Sequence, residues 1–187
     1  MLIITTAGFA EQTVNKSRFV ASAQYCDSER AVGLFLRSLA AQNPTAHHLA
    51  YAFRIKTPAG IIPRFSDAGE PSGTAGKPIL QMLEGRDLIN ICVGVIRYYG
   101  GINLGTGGLA RAYGGTGRFA LEACKTALFV EMQTIKLNLD YKQLDGFVRE
   151  LAKLNGHLLT KDFGAYVVVT ANVPAIEAPA LMRKYQQ

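Results

Sequence analysis

The sequence holds no stretch of about 18 consecutive apolar residues, so no segment reads as a membrane span. Its N-terminus, MLIITTAGFAEQ, lacks the basic start and long apolar core of a signal peptide, which predicts a cytoplasmic location. Cysteine is scarce: Cys26, Cys92 and Cys124 lie far apart, and no Cys/His grouping has zinc spacing. Cys92 and Cys124 sit in apolar contexts and read as reduced, small hydrophobes. No metal and no cofactor is expected. An extended basic run is also missing: 13 Lys/Arg stand against 9 Asp/Glu in residues 1–133, and 7 against 5 in 134–187. The net charge of +6 is therefore diffuse, and favours encounter with anions without naming one.

What is present is an ordinary globular composition, 49% hydrophobic and 18% charged over 187 residues. That length suits one large domain or two small ones and buries a core without disulfides. Residues 17–25 alternate as a strand, with Phe19, Ala21, Ala23 and Tyr25 on one face. A helix capped by Asp27 should follow, with Val32, Phe35, Leu36 and Leu39 as its buried stripe, ended by Asn43-Pro44. Residues 47–55 alternate again, with His47, Leu49, Tyr51, Phe53 and Ile55 sharing a face. A strand at 60–65 precedes a short helix that opens around Pro78 and ends at Gly85. Residues 90–99 read as a strand covered on both faces. A helix then reaches about Lys125. The chain divides into residues 1–130 and 131–187. In the second part a strand at 135–139, a helix at 144–154, a hairpin turning at Gly164 and a helix from Pro179 give β-α-β-β-α. That is a ferredoxin-like unit without its closing strand.

Two glycine-dense stretches stand out. The first, SDAGEPSGTAGKP at 66–78, mixes Asp67 and Glu70 with Ser72, Thr74, Gly69, Gly73, Gly76 and Lys77. Its backbone N–H groups could form an anion nest before a helix N-terminus, with Lys77 adding charge. Alternatively, the two acids cap backbone N–H groups and hold a tight turn, or serve as general acid and base. The second, residues 97–118, holds eight glycines, including Gly100, Gly101, Gly105, Gly107 and Gly108. GTGGLA and GTGRFA resemble a dinucleotide fingerprint only loosely. The Rossmann alternation is missing, and Gly114, Gly115 and Gly117 are expected to interrupt the helix, so NAD binding is rejected. Arg97, Arg111 and Arg118 with Tyr98, Tyr99 and Tyr113 suit phosphate pairing and base stacking. Arginine–acid pairing and buried tyrosines would explain the same residues. His47 and His48 point to opposite faces of their strand, so they cannot ligate one metal together. No nucleophile triad can be assembled.

HHLAYAFRI, FSDAGEPSGTAGKPIL and VIRYYGGINLGTGGLARAY, in that order, closely resemble the IMPACT/YigZ family across residues 13–125. The resemblance rests on His47, His48, Asp67, Gly69, Glu70, Pro71, Ser72, Gly73, Thr74 and Gly76. It continues through Arg97, Tyr98, Gly100, Gly101, Leu104, Gly105, Gly107, Gly108, Leu109, Arg111 and Tyr113. Where family members commonly carry an acid pair, this chain has Asp67-Ala68. The family usually adds a final strand after the last helix.

The resemblance implies an α+β protein of two domains. The first would have the ribosomal-protein-S-five-domain-two-like, left-handed β-α-β fold. The second would be a ferredoxin-like unit similar to domain V of elongation factor G. Eukaryotic relatives act in translational control during amino-acid starvation, through protein contacts. The expected function is thus non-enzymatic regulation of translation by binding RNA or the ribosome. Candidate binding residues are His48, Asp67, Glu70, Ser72, Gly73, Thr74, Gly76, Lys77, Arg97, Tyr98, Gly100, Gly101, Gly105, Gly107, Gly108, Arg111 and Tyr113. A phosphate- or nucleotide-binding enzyme using the same loops, or a protein-interaction adaptor, is the alternative.

Overall fold

Residues 91–98 are apolar toward both sides, and in the computed structural model they become the central strand of a five-stranded sheet. The structure describes residues 1–185. Two units are distinct, Met1–Phe129 and a second that begins at Val130.

The first unit contains β1 (Leu2–Ile4), β2 (Gly8–Val14), β3 (Ser17–Tyr25), α1 (Glu29–Gln42), β4 (His48–Thr57) and β5 (Gly60–Ser66). It continues with α2 (Gly76–Gly85), β6 (Ile91–Tyr98), α3 (Gly105–Glu122) and β7 (Thr126–Leu128). The sheet order is β2-β3-β6-β4-β5, antiparallel throughout. Since β3 and β4 both run against β6, they are parallel to each other, and α1 joins them in a β-α-β crossover. Helices α2 and α3 bury Ile79, Leu83, Leu109, Tyr113 and Leu121 against one face of the sheet. On the other face, α1 packs Val32 and Leu39 against Phe53, Cys92 and Ile96. This two-sided cover explains why β6 has no polar alternation.

Two local expectations are corrected. The cap of α1 is Ser28, whose hydroxyl accepts from the Ala31 N–H, and Asp27 precedes it. The glycines at 114, 115 and 117 do not interrupt α3, which runs unbroken through them. Glycine is tolerated there because the helix lies against its neighbours: a Cβ at Gly117 would stand 3.2 Å from the Met82 side chain. β1 and β2 are strands that the sequence analysis does not anticipate. β1 pairs with β7 across more than 120 residues, a contact without local signature.

The second unit runs β8 (Met132–Leu139), α4 (Leu144–Lys153), β9 (His157–Phe163), β10 (Val167–Pro174) and α5 (Ala178–Tyr185). The sheet order is β8-β10-β9, with β10 antiparallel to both neighbours. Ile135, Leu137, Leu139, Val167, Val169 and Ala171 face one core with Phe147, Leu151, Leu181 and Tyr185 of the helices. Phe147 and Tyr185 meet edge to face at 5.3 Å. No helix among the described residues is long and apolar enough to cross a membrane.

Candidate functional site

The two glycine-dense stretches come together at one end of the first unit, and polar side chains hold them in place. Residues 67–75 connect β5 to α2, and residues 99–104 connect β6 to α3. Loops so rich in glycine lose much conformational entropy on ordering, so something specific must offset that loss.

Asp67 does so in the first loop. One of its oxygens accepts from the Gly73 N–H at 2.8 Å. The other accepts from Ala75 at 2.9 Å and Gly76 at 2.8 Å. Burial would raise this carboxyl, but the N–H groups of Gly73, Ala75, Gly76 and Lys77 outweigh it and hold the pKa below the ordinary value. Gly73 has φ +75°, the left-handed conformation that aims its N–H at Asp67. The anion nest expected before α2 therefore exists, and the protein's own carboxylate fills it.

Glu70 ties the first loop to the two elements that flank the second, β6 and α3. Its Oε1 accepts from the Arg97 guanidinium at 2.7 Å and from the Tyr113 hydroxyl at 2.8 Å. His48 Nε2 lies 3.8 Å from the same oxygen. Burial, followed by the bond to Glu70, pushes the Tyr113 phenol far above its ordinary pKa, so it stays protonated and donates. Arg97 also donates to the Ser17 hydroxyl at 3.3 Å, and its guanidinium stands 5.6 Å from the Phe19 ring and 5.1 Å from the Tyr99 ring. The Ser17 hydroxyl accepts a second time, from the Gly100 N–H at 3.1 Å.

Each histidine secures a different loop. His48 Nδ1 lies 2.9 Å from the Ala68 carbonyl, which only accepts, so Nδ1 carries the proton. His47 Nδ1 accepts from the Tyr99 N–H at 3.1 Å.

The candidate residues thus fall into two sets. Asp67, Glu70, Gly73, Thr74, Gly76, Arg97, Gly100 and Tyr113 form the internal frame; Arg97 and Tyr113 are buried and committed to Glu70, so they offer nothing to an external phosphate or base. Tyr98 is half-buried and donates to Asn43 on the opposite side of the sheet, at 2.8 Å. Ser72, Lys77, Gly101, Gly105, Gly107 and Arg111 are exposed, while His48 and Gly108 are half-buried. Arg118, seven residues beyond Arg111 on α3, is exposed and pairs with Glu122 at 3.7 Å.

Helix α3 begins at Gly105 with no side-chain cap and no acidic residue in its first turn. Beside it, Asn15 and Lys16 form the β2–β3 turn, with φ of 44° and 65°. That turn packs so closely on residue 100 that a Cβ there would overlap the Lys16 carbonyl. Asn15, Gln12, Leu104, Gly108 and Arg111 line a shallow cleft of about 280 Å³. Asn15 and Lys16 have no signature of their own in the sequence, because a two-residue turn is defined only by both of its strands and β2 lacks a clear apolar alternation. Among the described residues, no group of three or more His, Cys, Asp or Glu is placed to hold a metal ion.

The first unit matches a known family of domains. The Impact N-terminal domain profile matches residues 15–121. The IMPACT family member YigZ of Escherichia coli is 36% identical over 174 residues, covering 92% of this chain and 85% of the relative. An IMPACT family member of Haemophilus influenzae is 36% identical over 180 residues, covering 95% and 87%. A crystal structure of a hypothetical protein superposes with a TM-score of 0.73 at 35% identity, over 98% of this chain and 89% of that one. Residues 15–121 span the Asn15–Lys16 turn, both glycine-dense loops and the Glu70–Arg97–Tyr113 cluster, and the chain belongs to the IMPACT family.

Proposed function

We propose that this chain is a non-enzymatic regulator of translation that binds RNA or the ribosome where the start of α3 meets the β2–β3 turn. One observation carries this reading: both carboxylates of the glycine-dense stretches are consumed internally, whereas the nearby cations face solvent. Lys16 and Arg111 are exposed beside the uncapped first turn of α3, with Tyr99 available for stacking and Lys77 at the start of α2. Phosphate contacts from such groups position a strand without reading its sequence. The translational role comes from the family resemblance, whose eukaryotic members act in that process.

The nucleotide-enzyme alternative loses ground. Its phosphate cradle in the first loop is occupied by Asp67, and Glu70 is locked by Arg97 and Tyr113. The reading is tested by titrating single-stranded RNA, structured RNA and ribosomes over a range of salt. Log affinity for single strands should fall with log salt at a slope of about −0.7 per neutralised phosphate. Arg111→Ala should flatten it. Failure of all three to bind at low salt sinks the proposal.

A further inference from the structure

The second unit carries two clefts that share a wall. One, of about 320 Å³, is lined by Asn138, Asp140, Gln143, Tyr166 and Tyr185. The other, of about 290 Å³, is lined by Asn138, Asp162, Phe163, Tyr166 and Val168 with the hairpin turn. Tyr166 and Asn138 belong to both. Next to them Tyr141 stacks on Phe163, with ring centroids 6.3 Å apart and planes at 29°. The Tyr141 hydroxyl donates to the Gly164 carbonyl at 2.7 Å, so the pair is held in place before any ligand arrives.

These rings are not core residues. Tyr141 is 56% exposed, Phe163 63% and Tyr166 57%. Clustered exposed aromatics of this kind mark interaction surfaces, because their rings supply large contact area with few rotatable bonds. The charges select among partners. The charged groups lining the two clefts, Asp140 and Asp162, are both carboxylates, and neither makes an ion pair among the described residues. Aromatic walls with an acidic lining disfavour a phosphate backbone and suit an apolar segment that carries cations.

We propose that this face of the second unit docks a proline-rich segment of a partner protein, with an arginine or lysine beside its prolines. A polyproline II helix is already extended in solution, so it binds with little ordering cost. It turns every three residues, about 9 Å, which lets successive prolines enter adjacent clefts on either side of one ring. Tyr166, which lines both clefts with Asn138, is the ring proposed to stand between them. Asn138 and Gln143 offer side-chain amides to backbone carbonyls that polyproline II leaves without internal hydrogen bonds. Asp140 and Asp162 meet the flanking cations. The surface belongs to a different unit from the proposed RNA face and does not depend on it.

The experiment titrates the full chain into a fluorescein-labelled peptide of four Pro-Pro-Arg repeats, followed by anisotropy. A peptide of four Gly-Ser-Arg repeats controls for charge and length, and oligouridine serves as competitor. The expected result is saturation at or below about 1 mM, at least tenfold weaker binding of the Gly-Ser-Arg peptide, and at least tenfold loss with Tyr166→Ala. Asp140→Asn with Asp162→Asn, which leaves the aromatic walls intact, should weaken binding and reduce its salt dependence. Amide shifts should cluster in residues 138–143 and 162–168. Equal binding of both peptides, no saturation, or no effect of Tyr166→Ala overturns the proposal. Displacement of the peptide by oligouridine from a Tyr166-dependent site overturns it in favour of a nucleic-acid strand.

Discussion

The Arg97 guanidinium stands 2.7 Å from the Glu70 carboxylate, and each side chain is 5% exposed. One residue lies near the end of the central strand and the other in the loop before α2, 27 positions apart. With Tyr113 as second donor, this pair fastens the first glycine-dense loop to the sheet and to α3. A buried ion pair is a poor source of net stability, but removing one partner is costly because the other charge is left in a dry site.

Arg97→Ala should therefore destabilise the first unit by about 3–5 kcal/mol. Tyr113→Phe, which takes one donor from Glu70, should cost about 1–3 kcal/mol. Urea unfolding checks both. In a double-mutant cycle with Glu70→Gln, the losses should fall short of additivity, because the two groups share one interaction. Additive losses would show that Arg97 acts through packing alone.

Asp67 has a sign that can be worked out. Its folded pKa lies below the ordinary value, so in acid the unfolded chain holds more protons and stability rises with pH. The contribution is complete above the ordinary aspartate value of about 3.9 and is lost as pH falls through the lower folded value. Melting temperature followed from neutral pH into acid should drop more steeply for the parent protein than for Asp67→Asn. Parallel curves would remove Asp67 from the account of the loop.

Gly100→Ala should destabilise by about 1–3 kcal/mol, the usual cost of overpacking. The added methyl meets the Lys16 backbone, which has no rotamer with which to retreat. The same substitution should weaken RNA binding, since it displaces the Lys16 turn. Gly85→Ala meets no neighbouring atom within 4 Å and should leave RNA binding unaltered.

Lys16→Ala and Arg111→Ala should each reduce the salt slope of single-stranded RNA binding by about 0.7, and additively if each neutralises one phosphate. Arg118→Ala should change it less, because Glu122 already lies beside that guanidinium. Equal effects of all three would point to a diffuse field in place of a defined contact.

Much of the fold was legible from one sequence. The strand at Ser17–Tyr25, the apolar run that became the centre of the sheet, and the β-α-β-β-α order of the second unit all follow from hydrophobic period and turn residues. These are local signals, since burial of one face imposes a spacing on neighbours in the chain. The order of three motifs was enough to place the chain in its family.

Which residues of those motifs bond to one another was decided only in three dimensions. Of the readings open for the first stretch, Asp67 takes the capping one: it accepts from three backbone N–H groups and is the anion in its own nest. Arg97 and Tyr113 suited either a nucleic-acid surface or internal pairing, and both are turned inward on Glu70. Lys16 belongs to no motif and is brought beside the second glycine-dense loop by the β2–β3 turn. Sequence lists which groups are available; burial and long-range pairing decide which are already spent on one another, because a buried charge without a partner is too costly to leave.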